Sequence, residues 1–347
     1  MECVAFRPEW VKARIAGNAA CAKYSISVVY NNRLRMKPAL IALLALTYAL
    51  AHAAEWLSYG GDPQRSGWQR REKDLNTVSV RGLKLLWKRQ LDNQSKGLNS
   101  LTAPTLLGPI FTHRGVKELV IIAGASDNVY AVDADLGRVF WKRHLDGTAP
   151  QDPHAEWPCG AGLTATPAIA PPASKIQNDD EASTPLRPIY VLSSDGRLHK
   201  IRPTDGEDMA PAVPFVAANA NASSLNLVGR SIYTTTSGGC GGASNGFWSI
   251  DVSSPRPKAS FSPSNDGSLP PVTFTWKGRK IRAAASREGR VFLLDGNSAA
   301  STTLTGSLAT WEDRKGNRWI YAAGRSGIEA FMLSGEASRP ELSRTRT

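Results

Sequence analysis

The stretch Asn128-Val-Tyr-Ala-Val-Asp-Ala-Asp-Leu-Gly-Arg-Val-Phe-Trp141 decides the fold. Val129, Ala131 and Asp133 alternate with Tyr130, Val132 and Ala134, the period of two that a strand imposes on its side chains. Asp133 to Gly137 reads as a turn, with Gly137 free to take a positive φ. Arg138 to Trp141 begins the return strand. Upstream, Leu119-Val-Ile-Ile-Ala123 reads as another strand, ending at a Gly/Ser/Asp turn. Weaker copies of this unit recur along the chain, so the chain reads as an array of repeats.

Five units can be laid over one another: Ser100–Lys142, Gly162–Arg202, Ser223–Asp251, Pro271–Asp295 and Ser307–Met332. Each runs strand, polar turn, strand, Ser/Gly/Asp turn, strand, and usually a fourth strand. That is the plan of a four-stranded β-propeller blade, and the expected fold class is all-β. The 30 Gly and 22 Pro of the 347 residues agree with a turn-rich chain. Asp133, Asp251 and Asp295 share one repeat position, which Arg202 takes in the second unit. Ala210 and Ala259 stand where the first unit has Trp141. Leu85-Leu-Trp87-Lys88 resembles Val139-Phe-Trp141-Lys142, and is expected to be the outer strand of the last blade, closing the ring from the N-terminal side. Residues 173–187 read as a surface insertion and residues 336–347 as a disordered tail.

The N-terminal part reads differently. Met36-Lys37 precedes the apolar run Pro38 to Leu50, then Ala51-His52-Ala53. A charged start, an apolar core too short for a comfortable span and an Ala-x-Ala site make a secretory signal over 36–53. Residues 1–35 read as an extension outside the fold, and residues 54–335 as the propeller. The expected location is the periplasm or the exterior. Residues 1–53 carry seven Lys/Arg and two Asp/Glu, so removing them takes +5 from the formal net charge of +12 and leaves +7. That charge is scattered, without a basic helix or long basic run, so a solvated surface is expected rather than a nucleic-acid partner. Of the four cysteines, Cys159 and Cys240 follow the signal, an even pair in an oxidising compartment. A disulfide between them and two isolated thiols are the alternatives. No Cys-x-x-Cys-His is present, so no haem is expected.

One further stretch carries a resemblance. Trp56-x-x-Tyr59-Gly-Gly-Asp62 followed by Arg65-Ser-Gly-Trp68, then a linker into Leu83-Lys-Leu-Leu-Trp87, resembles the lead-in segment of quinoprotein-type propellers. These are the PQQ-dependent alcohol dehydrogenases and their PQQ-like repeat relatives. The spacing Ala131-x-Asp133-x-x-x-Gly137-x-x-x-Trp141 matches that family's repeat, with Leu136 where Thr is usual. The resemblance covers residues 55 to about 335. Such dehydrogenases usually have eight blades, so five units imply a shortened relative.

In a propeller, the loops between second and third strands share a face with the blade-to-blade loops. Here that face would hold Asp127, Asn128, Ser194, Asp195, Arg287 and Arg325, with Glu156, Trp157, Cys159 and Cys240. The resemblance implies that PQQ and Ca²⁺ would be held on it. Plain turn chemistry is the competing account of its Ser, Asp and Gly residues. The relatives' adjacent cysteine pair is missing, and no catalytic residue or metal ligand can be assigned. The expected function is that of an exported binding or scaffold module with an unknown protein partner. The alternative is a PQQ- and Ca²⁺-dependent dehydrogenase of a small alcohol or sugar.

Overall fold

A computed structural model describes residues 2–8, 55–70, 72, 74–93, 100–145, 159, 163–172, 187–254, 256, 258–263, 268–286, 290–294, 299–301, 304–324 and 327–345. The signal segment 36–53 and residues 173–186 of the insertion lie outside them. Five antiparallel sheets follow one another along the chain. The first blade is β3 (Thr105–Thr112), β4 (Gly115–Ala123), β5 (Asn128–Asp133) and β6 (Val139–His144). The second is β7 (Ala168–Ile169), β8 (Ile189–Leu192), β9 (Arg197–Ile201) and β10 (Asp208–Pro214). In the third, β11 (Asn221–Ala222) and β12 (Asn226–Val228) both pair with β13 (Ser231–Ser237), followed by β14 (Gly246–Asp251) and β15 (Ala259–Pro263). The fourth is β16 (Ser268–Trp276), β17 (Arg279–Ser286), β18 (Arg290–Leu293) and β19 (Ala299–Ser301). The fifth is β20 (Leu304–Glu312), β21 (Arg318–Gly324), β22 (Gly327–Glu336) and β23 (Arg339–Arg344). The chain is an all-β propeller. Among the described residues no helix is long and apolar enough to cross a membrane.

Neighbouring blades stack through alternate residues of their strands, as the period of two requires. Leu119, Ile121 and Trp141 of the first blade meet Ile189, Val191 and Ile201 of the second. Leu192 and Leu198 of the second meet Ile232 and Ile250 of the third. Phe274 and Ile281 of the fourth meet Ile320 and Phe331 of the fifth. All six residues of β5 are buried, because its second face, with Tyr130 and Val132, is covered by Trp87 and Leu91.

Three expectations need correction. Leu85 to Lys88 lies in β2 (Leu83–Gln90), and β2 does not close the last blade. It pairs with β1 (Glu2–Pro8), which belongs to the residues set aside as an extension. The last blade completes itself with β23, within the stretch read as a disordered tail, in register from Phe331↔Arg344 to Glu336↔Arg339. Its sequence, Arg-Pro-Glu-Leu-Ser-Arg, is polar because an outer strand needs few apolar side chains.

The lead-in segment Glu55–Trp68 fills the axis and touches every blade. Trp56 exchanges backbone hydrogen bonds with Leu106 of the first, N to O at 2.9 Å and 2.8 Å. Ile169 of the second donates to Leu57 O at 2.8 Å. Asn226 of the third and Thr273 of the fourth donate to Pro63 O, at 3.1 Å and 2.9 Å. Thr310 of the fifth donates to Gln64 O at 3.0 Å. Asp62 shapes the segment by accepting from the N–H groups of Gln64 and Ser66 at 2.9 Å and 3.1 Å, an Asx-type turn. Gly61, at φ 90°, lies close under the Trp56 ring, which a Cβ there would approach to 3.1 Å.

Candidate functional site

On the loop face, the side chains of Asn128 and Asp195 are engaged by the fold, and Asp127 and Ser194 are held through their backbone. Asp127 sits at φ 56° in a turn, its N–H donating to Gly124 O and its carbonyl accepting from Leu145 N. The Asn128 side-chain oxygen lies 3.1 Å from His144 Nδ1. Ser194 O accepts from Asn219 N at 2.7 Å, and Asp195 Oδ1 accepts from Ser193 Oγ and Arg197 N. A Cβ on Gly196 would stand 2.2 Å from Val216 O, so this turn lies directly against the segment leading into the third blade. Cys159 and Cys240 are joined in a disulfide, Cα–Cα 5.1 Å, tying the approach to the second blade to the β13–β14 loop. Glu156, Trp157, Arg287 and Arg325 lie outside the described residues.

Ca²⁺ takes six to eight oxygen ligands. Among the described residues no three His, Cys, Asp or Glu side chains come together to hold a metal ion. The described part of the loop face therefore does not fit a PQQ–Ca²⁺ centre, and no chemical step is drawn through one.

Sequence spacing alone shows no Ser-His-Asp motif, yet three strands of the second blade bring these residues together. Ser193 Oγ lies 3.2 Å from His199 Nε2, and His199 Nδ1 lies 3.2 Å from Asp208 Oδ1. Arg143 of the first blade donates to Asp208 Oδ2 at 2.6 Å and to Gly206 O at 2.7 Å. Burial pushes the His199 pKa down, against the pull of Asp208 and Asp195 and with the help of Arg143. The imidazole is therefore neutral at neutral pH, with Nδ1 facing Asp208 and Nε2 facing Ser193 Oγ. This arrangement is that of a nucleophile and its base, but the nucleophile is sealed. Ser193 is 4% exposed and its oxygen also meets Asp195 and, at 3.0 Å, Arg197 O. A carbonyl carbon has no approach, so the cluster acts as a clasp between the first two blades.

Arg65 is the buried charge of the axis. Its guanidinium donates to Pro270 O at 3.0 Å and Ser224 Oγ at 2.8 Å, and lies over the Tyr59 ring at 5.1 Å. Burial lowers its pKa to about 9, which leaves it charged at neutral pH. Sequence reading gave Arg65 only a place in a motif. Its partners are carbonyl and hydroxyl groups on distant blades, which leave no local pattern.

A concavity lies elsewhere. A cleft of about 960 Å³ opens between the first and last blades. Leu101 to Leu106, Val120 and Ile122 form one wall and Ser307 to Ala309 the other; Trp56 and Tyr59 close it at the axis and Trp87 stands at its rim.

No protein-family model matches this sequence. No curated protein matches it either. Among solved structures the fold is similar to BamB from Moraxella catarrhalis, at 14% identity and a TM-score of 0.25, over 72% of this chain and 88% of that one. It is similar to the quinohemoprotein alcohol dehydrogenase from Comamonas testosteroni at 12% identity and a TM-score of 0.41, over 86% of this chain and 61% of that one. A third likeness is the Cps50 (Swd1) β-propeller domain from Myceliophteria thermophila, at 12% identity and a TM-score of 0.40, over 72% and 74%. The chain thus spans less than two thirds of the dehydrogenase. At this level the likenesses concern the fold alone, and the propeller assignment rests on the five sheets themselves.

Proposed function

We propose that this protein is exported and works as a rigid binding or scaffold propeller without complete catalytic machinery. The observation that carries this reading is the axial segment Glu55–Trp68, hydrogen-bonded to all five blades. It fills the axis with backbone and the charged Arg65 and braces the blades into a stiff disc, beside which the apolar cleft opens. Asn128 and Asp195 support the same reading, since their side chains are already bonded within the fold. The Cys159–Cys240 disulfide agrees with an oxidising compartment.

The test is reconstitution of the mature chain with PQQ and Ca²⁺, following the cofactor spectrum and dye reduction with a panel of alcohols and aldoses. No saturable uptake is expected. Saturable PQQ binding with turnover would overturn the scaffold reading in favour of a quinoprotein dehydrogenase.

A further inference from the structure

We propose that the cleft between the first and last blades is the seat of a sixth blade's inner strand, supplied by a partner polypeptide. The partner segment is extended, apolar on both faces and flanked by acidic residues.

The position follows from a repeated contact. Trp141, on the outer strand β6, donates its indole N–H to Pro203 O of the next blade at 2.7 Å, and its ring covers Gly206. Trp87, on β2, donates to Ala134 O of the first blade at 2.8 Å, and its ring covers Gly137. Strand β2 therefore stands toward the first blade as β6 stands toward the second. It is the outer strand of a blade that would precede the first. In the complete blades the outer strand belongs to a sheet with inner strands against the axis, whereas β2 is paired only with β1 among the described residues.

Inner strands for this blade, which are not among the described residues, have a place. The cleft runs inward from Trp87 to Trp56 at the axis, between the inner strands of the first and last blades. Its walls are faces of the kind that elsewhere stack blade on blade. Leu106, Val120 and Ile122 line one side. On the other, Ala309 shares its face with Tyr321, while Leu308 and Ile320 point into the core shared with the fourth blade. Ile328, across from Ala323 on that outward face, is 71% exposed. A segment lying there would be covered on both sides, as β5 is, and would have to be apolar on both. Adding a strand to an existing sheet is a common mode of peptide capture.

The flanks follow from charge. Arg89 is exposed on β2, and Arg70 lies over Trp68, whose ring contacts Trp311 of the last blade. This basic rim favours acidic residues on either side of the apolar core of the partner segment.

The inference rests on the binding-module reading, and its test is separate from PQQ reconstitution. The probe is the capped peptide Glu-Glu-Val-Thr-Val-Ile-Val-Glu-Glu, titrated into the oxidised full-length chain. Indole fluorescence reports occupancy, and hydrogen exchange reports protection of β2 and of Leu101–Leu106. Saturable micromolar binding is expected, weakened at least tenfold when the peptide's Glu flanks become Lys. Ala309→Arg and Ala103→Trp, which obstruct the cleft from opposite walls, should each weaken it at least tenfold while circular dichroism and Tm show the fold intact. Absence of saturable binding up to millimolar peptide overturns the proposal. So does equal binding by both folded variants. A concentration-dependent dimer protecting the same residues would give the cleft to a second copy. Uptake of dodecanoate without peptide binding would give it to a small amphiphile. Either result also overturns the proposal.

Discussion

Trp141 and Gly206 belong to different blades, yet the indole of one lies so close over the other that a Cβ on Gly206 would stand 2.8 Å from the ring. The indole N–H reaches Pro203 O beside it. Trp141→Phe should keep most of the buried area but lose the hydrogen bond, at a cost of about 1 kcal/mol. Trp141→Ala should cost about 3–5 kcal/mol through the cavity it leaves. Urea titration of both variants checks the order.

Asp133 holds the signature turn together. Its carboxylate accepts from the N–H groups of Asp135 and Leu136 at 3.0 Å and 3.1 Å, and pairs with Lys117 at 2.8 Å. Burial pushes its pKa up, but Lys117 and the two backbone donors outweigh this and hold it low. Its folded pKa lies below the unfolded value, so its contribution is present at neutral pH and lost as pH falls through the carboxylate range. Asp133→Ala should destabilise at pH 7 by about 1–3 kcal/mol, the cost of unpaired buried donors. The difference from wild type should shrink in melts run at the acid end of that range.

His199 is expected to make the protein acid-sensitive at a milder pH. Its folded pKa is pushed below the ordinary value of about 6.5. The unfolded chain therefore takes up a proton first as pH falls, and stability drops on going below about 6.5. Asp208 and Asp195 oppose this shift and Arg143 reinforces it. Tm measured from pH 8 to 5 should fall less steeply in His199→Gln than in wild type.

Reduction should loosen the second and third blades. The Cys159–Cys240 bridge closes a loop with a sequence separation of 81, for which chain entropy gives about 4–5 kcal/mol. Cys240→Ser, or dithiothreitol, should lower stability by up to that amount. Non-reducing peptide mapping of exported protein should recover the linked peptides.

The blades were legible because each strand carries its own alternation and each turn its own Gly or Asp, as in Val129–Asp133 and Gly137. Information of that kind lies within a dozen residues. The corrections concern contacts that do not. Trp87 was matched to Trp141 by local likeness, but which blade it belongs to depends on the turn it covers, Ala134 to Gly137. The polar alternation of Arg339 to Arg344 suits an outer strand as well as a frayed end, and only pairing with β22 decides between them. Ser193, His199 and Asp208 lie on or at the ends of three strands, at spacings that match no motif, and meet only because the strands are adjacent. On the loop face, composition alone does not reveal that Asn128 bonds to the adjacent strand and Asp195 within its own turn.

The axial segment has a kinetic consequence. Gln64 accepts from Arg318, 254 residues away, and from the backbone of Thr310. The first part of the propeller to be made must wait for the last before its bonds can close, and such long-range closure slows folding. An emerging chain would hold an unsatisfied Glu55–Trp68 until the fifth blade forms, so the disc locks late and all at once. Chains ending before Leu304 should therefore remain protease-sensitive at Glu55–Trp68, while the complete protein resists cleavage there.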